Sequence, residues 1–185
     1  YPKAPEHKIV EISNNIDAFY NAALAIYDSN NIILVGDSVG GTLISSLMQR
    51  VVKQKNRIPK KVILISPVMD ASMTNPCINK IDLIDPMLSK KGVLSAKQMT
   101  VENNELSNVK ISPLNGNFIG FPKTILFLAS NDITFPDQEI AVEKMKKDNV
   151  DLEIIYGENM PHIWPLLPVM KEAKSALNIL IKNLN

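Results

Sequence analysis

Six residues, Gly36-Asp37-Ser38-Val39-Gly40-Gly41, constrain this chain more than any other stretch. They follow an apolar β-branched run, Asn31-Ile32-Ile33-Leu34-Val35, and precede a helical pattern that starts at Thr42. A Gly-x-Ser-x-Gly between a strand and a helix describes a nucleophile elbow. The turn is so tight that its serine is held in a strained backbone conformation. Gly36 and Gly40 carry no Cβ, so strand and helix are expected to pass closely there. The Ser38 hydroxyl should then stand at the top of a sheet, over a helix N-terminus that favours negative charge.

The rest of the chain alternates in the same way. Ile9, Ile12, Ile16, Phe19, Ala23 and Ile26 recur at helical spacing, which predicts a helix over 9–28. A strand at 31–35 and the elbow follow, then a helix from Thr42 to about Lys55. Lys61–Ser66, Thr124–Ala129 and Leu152–Tyr156 read as further strands, the first stopped by Pro67. A helix over 136–147 separates the last two, with its proline in the first turn where a missing N–H costs little. A final helix is expected from about Leu166 to Asn183. Strands alternating with helices predict an α/β fold, a parallel sheet with helices on both faces. The connection between Ser66 and Lys123 is too long for a simple crossover or for one structureless loop. It reads as a cap-like insertion, at about 68–120, within a single domain spanning 1–185. The insertion includes a capping-box pattern at Ser95-Ala96-Lys97-Gln98.

Composition narrows the function classes. Hydrophobic residues make up 45% and charged residues 21% of 185, an ordinary globular balance. The net charge is +1 with mixed signs along the chain, which argues against a nucleic-acid or anionic-membrane surface. No apolar run is long enough to span a bilayer. A single cysteine, Cys77, excludes an internal disulfide and suits a reducing, cytoplasmic compartment. It is expected to be a small buried hydrophobe. Two histidines and one cysteine are too few for a zinc site, so neither metal nor cofactor is expected.

A serine nucleophile needs a base, and the base needs an orienting acid. His7 precedes the serine and fails the order Ser, acid, His that such a fold requires. His162 lies between the last strand and the last helix, where a loop could reach the elbow. Two acids follow the preceding strand. Asp132 comes first, nearest the sheet edge, and is favoured; Asp137 falls in the first helical turn and reads as a dipole partner. Taken singly, the three residues have plainer readings: an ordinary turn, a helix cap and a surface histidine. Their joint order, each after a successive strand, favours a triad. A chymotrypsin-like arrangement fails, because its histidine and aspartate must precede the serine.

Several blocks resemble the hormone-sensitive-lipase-like branch of the α/β-hydrolases, which includes bacterial acetyl esterases and arylesterases. Tyr1–His7 is similar to a Tyr-x-x-Ala-Pro-Glu-His segment, and Gly36–Gly41 to Gly-Asp-Ser-Ala-Gly-Gly with Val39 replacing alanine. Ser66-Pro67-Val68-Met69-Asp70 resembles Ser-Pro-Trp-Leu-Asp, and Ser112-Pro113-Leu114 a Ser-Pro-Leu block. Asp132–Asp137 resembles Asp-Pro-Leu-x-Asp with Ile133-Thr134 in place of Pro-Leu. The blocks arrive in the family's order over nearly the whole chain.

The resemblance implies a serine hydrolase acting on a small-molecule ester with short acyl chains, with Ser38, His162 and Asp132 as triad and the Val39 N–H as an oxyanion donor. Val39 narrows the space beside the nucleophile relative to alanine. The family's His-Gly-Gly-Gly loop and first strands would lie upstream of Tyr1. The chain is therefore expected to be the C-terminal part of such a fold, with an open sheet edge able to pair with another chain. A catalytically impaired fragment and a peptidase of the same fold are the alternatives. Met69, Met73, Ile81, Leu83, Met87 and Leu88 either line a pocket or pack the insertion onto the sheet.

Overall fold

The computed structural model of the chain describes residues 1–184. Four strands, β1 (Ile33–Asp37), β2 (Lys61–Ile65), β3 (Lys123–Ala129) and β4 (Leu152–Gly157), form one parallel sheet in the order β1-β2-β3-β4. The register pairs Asp37 with Ile65, Ile65 with Phe127, and Ala129 with Gly157. All four strands therefore end on the same side. The loops after them share that side, where ligand sites of open α/β sheets form.

Alternation along the strands builds two cores. Val62, Leu64, Leu126 and Leu128 face α1 (Ile9–Ile26), α2 (Val39–Lys53) and α5 (Phe135–Lys147) through Tyr20, Leu24, Leu47, Met48, Ala141 and Met145. Ile63, Ile65, Ile125 and Phe127 face Trp164 and α6 (Lys171–Lys182) through Ala176 and Leu180. Every residue of β2 is buried, as a central strand covered on both faces must be. β1 is an edge strand, as is β4 at the other side, and Val35 of β1 is 43% exposed.

Several sequence expectations shift. Strand β1 begins at Ile33 because Ser29–Asn31 form a 3₁₀ turn capped by Asp28. The last helix starts at Lys171, since Pro165 opens a 3₁₀ turn and Pro168 disfavours helix at Leu167. The capping box does not form: Ser95 lies inside α4 (Lys90–Thr100), whose N-cap is Ser89, accepting from the Gly92 N–H at 3.1 Å. On α1 the buried residues are Ile9, Ile12, Ser13, Tyr20 and Leu24, whereas Phe19, which shares a groove with Ile33, Leu34 and Val35 of β1, and Ile26 are exposed. Cys77 is exposed, on the N-cap of the one-turn helix α3 (Ile78–Ile81), not buried.

Candidate active site

Ser38 follows β1 and caps α2, with φ 48° and ψ −118°. That conformation is costly for a residue with a side chain. Its N–H donates to the Ile65 carbonyl at 2.8 Å, continuing the β1–β2 ladder into the turn. Its carbonyl accepts from the Thr42 N–H at 3.2 Å, and the Thr42 hydroxyl donates to Val68 O at 2.7 Å. Gly36 is required by the close pass: a Cβ there would lie 2.6 Å from the Gly40 carbonyl carbon and 2.7 Å from Ile44 Cδ1. Gly40 itself has open space where its Cβ would stand, contrary to expectation. The second tight contact belongs to Gly41, whose Cβ would sit 2.8 Å from Pro67 Cβ. Val39 opens α2, so its N–H has no partner within the helix; its side chain lines the cavity above Ser38. Asp37 is exposed at the strand end.

Asp132 and His162 are both buried, and Asp132 Oδ2 lies 2.8 Å from His162 Nδ1. The other carboxylate oxygen accepts from the Thr134 N–H at 2.9 Å. Both groups are held from outside their own loops. The Ile133 N–H donates to Asp85 Oδ2 at 2.9 Å, which brings the insertion against the acid loop. Ile163, with φ 50°, turns the chain after His162, and its N–H donates to Ser66 Oγ at 3.1 Å. The Trp164 indole N–H donates to Leu128 O at 3.0 Å. Asn159 and Ser130 tie the β4 loop back onto the β3 end at 2.7 Å. Among the described residues, Ser38 Oγ forms no hydrogen bond with His162; such bonds are often loose before substrate binds.

The two remaining candidates fall outside this pair. His7 sits on the surface with Glu11 at 2.7 Å. Asp137 is buried in the first turn of α5, accepts from Asn75 Nδ2 at 2.9 Å, and is pushed up to about 6 by burial and by the nearby Asp70. The 66–70 and 112–114 blocks meet. Ser112 Oγ donates to Asp70 Oδ1 at 3.2 Å and accepts from the Ala71 N–H at 2.8 Å, and Leu114 N–H donates to Met69 O at 3.0 Å.

A cavity of about 340 Å³ opens over Ser38 and Val39, walled by Ile9, Ile12, Leu43, Val68 and α4. Of the six apolar insertion residues named above, only Leu88 lines it. Met69, Met73 and Ile81 pack the interior instead, and Leu83 and Met87 are exposed. Sequence reasoning missed Ser66, Asp85 and Gln138. Buried Gln138 donates to Pro67 O at 3.0 Å and Thr134 Oγ1 at 2.7 Å, linking the ends of β2 and β3.

No helix is long and apolar enough to cross a membrane among the described residues. A family model described as alpha/beta hydrolase fold matches residues 1–166. An esterase of Acinetobacter venetianus is 29% identical over 180 residues, covering 96% of this chain and 59% of that protein. Esterase LipU of Mycobacterium tuberculosis is 24% identical over 178 residues, covering 89% of this chain and 55% of that protein. The chain thus spans somewhat over half the length of these curated relatives. A solved esterase from the bacterial hormone-sensitive lipase family superposes with a TM-score of 0.92 at 24% identity, covering 98% of this chain and 62% of that one. With its parallel sheet, its serine elbow after β1 and a match over residues 1–166, the chain belongs to the α/β-hydrolase-fold family.

Proposed function

We propose that this chain carries the Ser38–His162–Asp132 machinery of a serine hydrolase that cleaves short-chain acyl esters through an acyl-enzyme. The observation that carries the reading is the buried 2.8 Å Asp132–His162 pair, on the same sheet end as the strained Ser38 turn. The names of the curated relatives, both esterases, support the ester substrate. The cavity over Ser38, walled largely by apolar side chains, suits a small acyl or alcohol group.

In this mechanism His162 Nε2 takes the Ser38 proton as Oγ attacks the ester carbonyl. Asp132 holds Nδ1 protonated and stabilises the imidazolium. The Val39 N–H donates to the oxyanion of the tetrahedral intermediate. Collapse expels the alkoxide, which takes the proton from His162. Water, deprotonated by His162, then attacks the acyl-serine and frees the acid. Pairing of the open β1 edge with a further strand is part of the same proposal.

Turnover of p-nitrophenyl esters from acetate to octanoate tests the reading. The expected result is activity that peaks at short chains and is lost in Ser38→Ala. Activity that survives in Ser38→Ala, or that peaks at the longest chain, would refute it.

A further inference from the structure

Lys97, on the last turn of α4, lines the cavity that opens over Ser38. It is 6% exposed, and its ammonium nitrogen is sealed from solvent with no hydrogen-bond partner among the described residues. Other lysines of the fold that lean inward are satisfied: Lys61 donates to Asn183 O at 2.8 Å, and Lys144 to Leu114 O and Gly116 O at 2.6 and 2.9 Å. A buried ammonium without a partner is costly and rarely kept. Among the described residues no carboxylate side chain lines this cavity; its charged side chains are Lys97 and the exposed Lys3. The surrounding wall is mostly apolar, with Ile9, Ile12, Leu43, Val93 and Ile111, and the hydroxyls that also line it, on Ser38, Thr42 and Thr100, do not bond the ammonium.

We propose that Lys97 is a specificity residue of this cavity, and that the preferred ester carries a carboxylate on the part lodged there, as a monoester of a short dicarboxylic acid does. The inference rests on the reading of Ser38 as nucleophile, because that places the scissile carbonyl at the cavity floor. Burial pulls the Lys97 amine down to about 8, so it is still mostly cationic at neutral pH. Its flexible four-carbon stem lets the ammonium turn toward an incoming anion. A carboxylate would complete a charge-assisted hydrogen bond that the unliganded fold lacks. An ester with only an alkyl chain would leave the ammonium as it is.

The test is equilibrium binding, with chemistry disabled by Ser38→Ala, of monoethyl glutarate and of ethyl butyrate, followed by ligand-observed NMR at pH 7. The anionic ester is expected to bind about tenfold tighter, the share of one charged hydrogen bond. Adding Lys97→Met should abolish that preference, whereas Lys3→Met should leave it intact. Equal binding of the two esters overturns the proposal. So does binding of neither, or a preference that survives Lys97→Met. If Lys97→Met does not fold, Lys97→Gln serves the same comparison, and the preference of the Ser38→Ala chain alone still decides the first outcome. Failure of the nucleophile assignment is separately visible. It would show as an intact anion preference together with no acylation of Ser38 when mono-p-nitrophenyl glutarate is supplied to the unmutated chain.

Discussion

The Ser66 hydroxyl accepts a hydrogen bond from the Ile163 N–H at 3.1 Å, joining the end of β2 to the residue after His162. Ser66 is fully buried and also has a positive φ of 45°, so the residue is fixed by the strand on one side and its own turn on the other. The link sets the reach of the His162 loop, which the proposed triad needs to cross from β4 back toward β1.

Removing that acceptor should therefore hurt chemistry as well as stability. Ser66→Ala leaves a buried N–H without a partner, at a cost of about 1–3 kcal/mol. The expected result in denaturant melts is that loss, with a fall in kcat larger than the change in KM. An unchanged kcat in folded Ser66→Ala would mean that the loop is positioned without it.

Gly157 provides a second control on the same loop. A Cβ there would lie 2.6 Å from the Trp164 indole. Gly157→Ala should cost about 1–3 kcal/mol through overpacking, measured by thermal melts. Trp164 fluorescence should shift as the ring moves off Leu128. A melt and a spectrum both unchanged would contradict this packing.

Asp132→Asn keeps the shape of the acid but no longer enforces the His162 tautomer. Under the proposed mechanism ester turnover is expected to fall by about 10⁴-fold, the loss a serine triad suffers when its acid becomes an amide, with the melting temperature little changed. A loss below tenfold would indicate that the pair is structural.

Asp137 yields a pH signature. Its carboxyl sits at about 6 against an ordinary 3.8, raised by burial first, lowered by the Asn75 hydrogen bond, and raised by Asp70. The folded state thus holds the proton more tightly than the unfolded one. Its stability contribution is fully present below about 3.8 and is lost as pH rises through about 6. Asp137→Asn, which keeps an acceptor for Asn75, should raise the melting temperature at pH 7–8, and the gain should shrink toward pH 4. A gain that is constant with pH would rule out titration of Asp137 as its cause.

Much of this was legible in the sequence because it is local. Gly36-Asp37-Ser38-Val39-Gly40 follows an apolar strand and precedes a helix, so the elbow declares itself within a dozen residues. Asp132 and His162 were ranked by their place after successive strands, and their 2.8 Å contact across 30 residues follows that order. What escaped depends on partners distant in the chain. Asp85 holds the Ile133 N–H across 48 residues, and Ser66 holds Ile163 across 97. Neither has a local pattern to betray it. Periodicity misplaces Phe19, which is exposed beside β1, and Ile26, exposed at the end of α1, so the apolar stripe is wider than the buried face. Ser95 looks like a cap because its spacing fits, but Ser89, six residues earlier, stands at the actual helix start.

The most direct test of the central claim is fluorophosphonate labelling of the chain, read by intact mass and peptide mapping, beside Ser38→Ala and His162→Ala. The triad account expects a single adduct on Ser38, none in Ser38→Ala, and labelling slowed by about 10²–10⁴-fold in His162→Ala. Folded protein that takes up no label, or that takes it up equally with Ser38 replaced, would contradict it.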